Sequence, residues 1–389
     1  MRRFIVTLAL AACAPASRPI PLVPLAPPEA PARDLAVAKP LQAGSADAGA
    51  RDPRVVDLDI IRITATQQGV GGEISTEAVS TAELFRQAGE AVKAHETERA
   101  IGLYRKIASD FPDSSYAPIS LFDIAAILDG RGDLEGTIAT LRELVTKYPH
   151  SRESIDGHLY IAALQADHAQ WTDAIATLDA ILARTDLTYA DRIEALARAG
   201  YVRIEQHRYD DAELVLDQAM TEYKQAPRID DPYYIAMASY YLGEVAHHRF
   251  IEAPVRLPDD TLIADLEQKR VLAGKAYDRW KESLGFHQAY WATAAGYQMS
   301  QIFVELWEAT VKAPYPARID AATRPKYIAD VHERVREHLA KALEGHRMNV
   351  ELAKAYGVDT TWSEGSAKRA SEVADMLAKD TAGQFVTPD

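Results

Sequence analysis

Ala100-Ile101-Gly102-Leu103-Tyr104, Thr137-Ile138-Ala139-Thr140-Leu141 and Ala174-Ile175-Ala176-Thr177-Leu178 are one five-residue phrase written three times at a period of 37 residues. Ala212-Glu213-Leu214-Val215-Leu216 follows 38 residues after the third copy. A period of this size means stacked supersecondary units. In each copy a small residue lets two helices approach, and a large residue four positions on fills the same face. Ile107, Leu144, Ile181 and Ala219 continue that face one turn later. Apolar faces recurring in this way need a neighbour on each side.

Two copies share a helix stop. Asp110-Phe111-Pro112-Asp113-Ser114 and Lys147-Tyr148-Pro149-His150-Ser151 place proline after an aromatic residue and a capping side chain before the next helix. These residues resemble tetratricopeptide repeats, well matched over 81–227. The resemblance implies an all-α, right-handed solenoid of helix-turn-helix units that binds other proteins. The aromatic-Pro-x-Ser stop is similar to that of bacterial envelope lipoproteins, such as the helical accessory of the β-barrel assembly machine and the Tol-associated periplasmic coordinator. Two departures from the pattern stand out: His158 replaces a large apolar residue, and Asp186 falls where a third proline is expected.

Beyond the regular repeats, residues 228–389 read as divergent helical repeats with capping helices. Tyr233 to His248 is a first helix carrying Tyr240-Tyr241-Leu242-Gly243, and a proline-bearing insertion, Ile251 to Asp260, precedes a long partner helix with Ala276 and Trp280. A helix over Ala289 to Val311 follows, then one opened by Pro325 that runs to Tyr356 and stops at Gly357. A short helix, about Ser366 to Lys379, closes the chain. Terminal repeats are expected to present a polar outer face.

Upstream, Met1-Arg2-Arg3 and the apolar run Phe4 to Leu10 end in Leu10-Ala11-Ala12-Cys13, and Cys13 is the only cysteine of 389 residues. The run is too short to span a bilayer and fits a signal segment. It resembles the lipobox of bacterial lipoprotein precursors, which implies a signal peptide over 1–12, acylation of Cys13 and, with alanine following, an outer-membrane anchor facing the periplasm. An ordinary secretory signal cut after Ala14 is the alternative. Residues 13–53 read as a tether, with eight of the twenty prolines between Pro15 and Pro40. Extended at about 3.1 Å per residue, it reaches on the order of 100 Å. Residues 54–80 begin with a β-branched run, Val55 to Ile63, that reads as an edge strand or a docking segment, followed by a flexible break at Gly69-Val70-Gly71-Gly72.

The formal charge of −14 becomes −16 once Arg2 and Arg3 leave with the signal, and a surface so acidic argues against nucleic acid. A single cysteine leaves no intramolecular disulfide to hold the fold. No nucleophile elbow, phosphate loop or His-Glu-x-x-His pair occurs, and neither His247-His248 nor His332, His338 and His346 share one helix face. An enzyme, a cofactor and a metal site are therefore not expected.

In the tetratricopeptide family the fifth residue of the first helix faces the concave groove, and the register puts Phe85, Phe122 and Leu159 there, with Tyr201 at another groove position. Asp129, Asp156, Asp167, Glu194 and Glu205 occupy groove-facing places where the family's carboxylate clamp has basic and amide groups. The expected partner is another envelope protein offering a hydrophobic or basic segment. The stripe packing within the superhelix is the alternative. A peptidoglycan-binding or other glycan-binding lipoprotein is the second functional reading, resting on Tyr240, Tyr241, Trp280, Trp291 and Trp307.

Overall fold

The computed structural model describes residues 61–67 and 74–388, and divides into two compact units at Ala183/Arg184. The boundary falls in the loop that carries Asp186, where the expected helix-stopping proline is missing. The signal, Cys13, the tether and the Gly69-Val70-Gly71-Gly72 break lie outside the described residues.

The N-terminal unit starts with two antiparallel strands, β1 (Ile61–Gln67) and β2 (Ile74–Ser80), paired from Ile61 opposite Ser80 to Gln67 opposite Ile74. The described residues of this segment are thus a strand pair, tied to α2 through Arg62. Arg62 donates to the carbonyl of Asp110 at 2.5 Å and lies 5.0 Å over the ring of Phe111. Ser80 ends β2 and caps the next helix, accepting from the Glu83 amide at 3.1 Å.

Three helix pairs follow: α1 (Thr81–Lys93) with α2 (Thr97–Asp110), α3 (Tyr116–Asp129) with α4 (Leu134–Lys147), and α5 (Arg152–Asp167) with α6 (Trp171–Leu182). The first helices touch one another, α1 beside α3 and α3 beside α5. The second helices stand farther apart, and Arg105 of α2 reaches across to Glu143 of α4. Closer spacing on one side makes the first helices the inner, concave layer.

Ala100, Thr137 and Ala174 are all 0% exposed, as is Ala212 of the second unit. Ile107, Leu144, Ile181 and Ala219 are buried with them, so the register read from the sequence is the packing register. Ala174→Phe should overpack the α5–α6 contact at a cost of about 1–3 kcal/mol, measured by thermal unfolding. Melting equal to that of the unaltered protein would contradict the register.

The turns inside the pairs repeat as strictly as the helices. Glu96, Asp133, Gln170 and Arg208 each donate a backbone bond to the carbonyl five residues back. His95, Gly132, Ala169 and His207, one residue earlier, hold φ of 58°, 74°, 54° and 58°. Only one of these four left-handed positions is glycine.

The C-terminal unit holds α7 (Tyr189–Glu205), α8 (Tyr209–Gln225), α9 (Tyr233–Glu252), α10 (Asp259–Gly285), α11 (Ala289–Val311), α12 (Arg324–Tyr356) and α13 (Thr361–Thr381). Here too alternate helices adjoin, α7 with α9, α9 with α11 and α11 with α13. Gly357 ends α12 with φ 66°, as expected, but α13 begins five residues earlier than Ser366 because Thr360 and Ser363 form a capping box.

Its core is aromatic. Trp291 lies 5.2 Å from Tyr240 and 5.7 Å from Tyr241, and Trp280 fills the space over Gly243. Tyr240, Tyr241, Trp280, Trp291 and Trp307 are all buried. They pack as core and present no open platform to a glycan.

Candidate interaction face

Positions 85, 122 and 159 recur on the inner helices α1, α3 and α5, but the structure divides them. Phe85 and Phe122 are half-buried, and each extends the neighbouring repeat's aromatic surface. Phe85 sits 4.9 Å from Tyr116 and 5.4 Å from Tyr104, and Phe122 sits 6.0 Å from Tyr160. Leu159 is 2% exposed, because α5 buries residues around most of its circumference. Tyr201, in the C-terminal unit, is 5% exposed and packs 5.2 Å from Tyr241 on a helix buried nearly all round. Leu159 and Tyr201 are therefore core side chains in this conformation, correcting their expected place on an open groove.

The acidic positions divide as well. Asp129 accepts from the Tyr160 hydroxyl, and Asp156 pairs with Arg152 at 2.9 Å. Asp167 ends α5. In the C-terminal unit Glu194 is neutralised by Arg198, which also donates to the Tyr234 hydroxyl at 2.7 Å, and burial pushes the Glu205 carboxyl up.

One carboxylate escaped the sequence reading. Asp123 follows Phe122 on α3, and burial raises its carboxyl to about 6, against a hydrogen bond from Tyr104 that lowers it and a nearby Glu153 that raises it further. Asp123 and Tyr160 are 37 residues apart, one step after Phe122 and Leu159. The repeat register was the signal that could have found both. The face thus combines half-buried rings of Phe85, Tyr116, Phe122 and Tyr160 with carboxylates of Asp123, Asp129 and Asp156.

The replaced apolar position is also explained. The His158 ring bonds through Nδ1 to the Ser154 carbonyl at 2.7 Å, so it satisfies its own helix.

Away from the face, the C-terminal unit buries a polar network. His247 bonds through Nε2 to Glu305 at 2.5 Å, and Gln298 donates to Glu244 at 3.0 Å. Burial alone would lower the His247 pKa, but the Glu305 carboxylate outweighs it and holds the ring up at about 8. Arg369 donates to Gln301, whose amide donates in turn to Glu305. Every link joins side chains of α9, α11 and α13, so the network clamps the inner helices of this unit. Among the described residues no three His, Cys, Asp or Glu groups come together to hold a metal. No described helix is long and apolar enough to cross a membrane.

A family model described as Tetratricopeptide repeat matches residues 120–151, which run from α3 through α4 to Ser151. The fold is of the tetratricopeptide type. Solved structures similar to the chain include MamA, residues 41 to the end, from Desulfovibrio magneticus RS-1, at 12% identity over 50% of this chain and 93% of that one, with a TM-score of 0.33. A tetratricopeptide repeat protein from Parabacteroides merdae is similar at 10% identity over 77% and 98%, with a TM-score of 0.36. The C-terminal part of a repeat protein from Cytophaga hutchinsonii is similar at 12% identity over 77% and 99%, with a TM-score of 0.40. No curated protein matches the chain's sequence. Tetratricopeptide solenoids present concave surfaces to other proteins, so the chain has the fold of a protein-interaction scaffold.

Proposed function

We propose that this protein is a lipid-anchored scaffold on the periplasmic side of the outer membrane, and that the inner face of α1, α3 and α5 holds a basic, partly apolar segment of another envelope protein. The observation that carries the binding half is the alternation of half-buried rings and carboxylates on successive inner helices, with Phe122 beside Asp123 and Tyr160 bonded to Asp129. Rings supply apolar area, and carboxylates select a cationic partner and speed its approach. A carboxylate-terminated peptide would meet like charge there. Outer-membrane protein assembly, Tol-linked coordination at division, and motility or secretion machinery are the complexes in which such a scaffold would serve.

The anchoring half rests on Leu10-Ala11-Ala12-Cys13. Acyl chains stabilise membrane residence by about 0.8 kcal/mol per buried methylene, so several chains make release negligible. Labelled palmitate should enter the unaltered chain and not the Cys13→Ser variant, which should leave the membrane fraction or remain unprocessed. Equal labelling and equal sedimentation with membranes would refute the anchor.

A further inference from the structure

The outer helices α10 and α12 of the C-terminal unit both pack against α11 and barely meet each other. Elsewhere such neighbours are joined by side chains, Arg105 with Glu143 across α2 and α4, and Arg279 with Asp217 at 2.8 Å across α8 and α10. Between α10 and α12 lies a cavity of about 210 Å³. On α12 its lining residues Val331, Arg334, Val335 and His338 fall at spacings of three and four, so one stripe of that helix faces it. Leu266 of α10 and Leu306 and Ala309 of α11 complete an apolar floor.

The polar groups around this floor are cationic or uncommitted. Arg334 is exposed and, among the described residues, pairs with no carboxylate. His338, one turn on, stacks 6.1 Å from Phe303, and its buried Nδ1 has no hydrogen-bond partner among the described residues. Burial lowers the His338 pKa, so at neutral pH the ring is an uncharged imidazole able to donate one hydrogen bond. Glu267, the carboxylate of the lining, is held by Arg270 at 2.5 Å, and the Lys269 ammonium is held by the Phe250 carbonyl at 2.5 Å. Neither acts as a free charge.

In a chain of formal charge −14 an anion gathers only where cations lie locally in excess. One available guanidinium suits one negative charge, and its planar fork matches a carboxylate. The volume lies below the roughly 300–1,000 Å³ of sites for drug-sized ligands, so the molecule it takes is small. We infer that the cavity between α10, α11 and α12 is a binding site for a small amphiphilic monocarboxylate, with its carboxylate on Arg334 and His338 and an alkyl chain of medium length on Leu266, Leu306, Ala309, Val331 and Val335. The site lies wholly in the C-terminal unit, and it stands apart from protein-segment recognition by α1, α3 and α5.

Octanoate is the probe, measured by equilibrium dialysis against the full chain carrying Cys13→Ser in detergent-free buffer, because a detergent would compete for the same apolar floor. Saturable binding of one molecule per chain is expected in the sub-millimolar range. Octanol, which keeps the chain and lacks the charge, and acetate, which keeps the charge and lacks the chain, should each compete about tenfold or more weakly than unlabelled octanoate. Arg334→Gln should weaken octanoate binding about tenfold, the worth of one charge-assisted contact. Its side chain is exposed, so circular dichroism should show unchanged helix content and melting. Ala309→Phe should fill the cavity and abolish binding. If that chain melts early, Arg334→Gln still decides. An absence of saturable binding up to about 5 mM octanoate, far beyond the expected range, overturns the proposal. So does equal affinity for octanol, or an undiminished affinity in Arg334→Gln. An octanoate analogue bearing a diazirine should label α10, α11 or α12 beside the cavity, and labelling confined to other parts of the chain would overturn it equally.

Discussion

Trp280→Ala is expected to destabilise the C-terminal unit by about 3–5 kcal/mol, the range for emptying a large aromatic site in a well-packed core. Trp280 is 0% exposed on α10 and lies over Gly243 of α9. A methyl group at 243 would stand 2.3 Å from the indole nitrogen, so the two residues fix how closely the helices approach. The indole N–H has no hydrogen-bond partner within the described residues, so the loss is one of packing. Gly243→Ala probes the same contact from the other side. Its overpacking cost of about 1–3 kcal/mol is partly offset by the roughly 1 kcal/mol that alanine gains over glycine in a helix. Chemical denaturation followed by tryptophan fluorescence measures both. Because the chain has two compact units, the effect should fall on one transition if the units unfold separately. A Trp280→Ala protein as stable as the unaltered chain would mean that the α9–α10 contact does not hold the unit together.

Leu159→Ser carries the second large effect, about 2–5 kcal/mol for the lost side chain, with an added penalty for a hydroxyl without a partner. Position 159 shares its register with Phe85 and Phe122, and the sequence alone predicts one behaviour for all three. The structure separates them by exposure, and stability should separate them in the same way. Phe85→Ser and Phe122→Ser remove rings that are only half-buried, so each should cost less than Leu159→Ser.

The contrast shows what the sequence made legible. Period and helix faces were written plainly, because a small residue and a large one four positions later must recur wherever two helices of a pair touch. Ala100, Thr137, Ala174 and Ala212 therefore fell in the core as expected. The left-handed turns at His95, Ala169 and His207 were hidden, because the backbone bond from the following residue closes the turn whatever side chain occupies it. Glycine at 132 was the one visible instance.

The candidate face was legible only in part. Register places a residue on the inner helix, but burial depends on what the next helices bring against it, and α5 and α7 are enclosed where α1 is open on one side. Asp123 went unnoticed because its altered acidity comes from burial, which follows from packing. The aromatic residues after position 230 looked ambiguous in composition, and only their mutual packing around Trp291 assigned them to the core. The last helix has the polar outer face expected of a terminal repeat, with Thr361, Glu364, Lys368, Ser371, Asp375 and Lys379 exposed along α13.

The central claim is that the inner face of the N-terminal unit recognises a protein segment. The most direct test pairs thermal melting with cross-linked capture from membranes for the Phe85→Ser, Phe122→Ser double variant and for Leu159→Ser. The double variant should keep its helix content, melt within a few degrees of the unaltered protein, and lose the partner. Leu159→Ser should melt far lower. A folded double variant that still captures every partner of the unaltered chain would contradict the account.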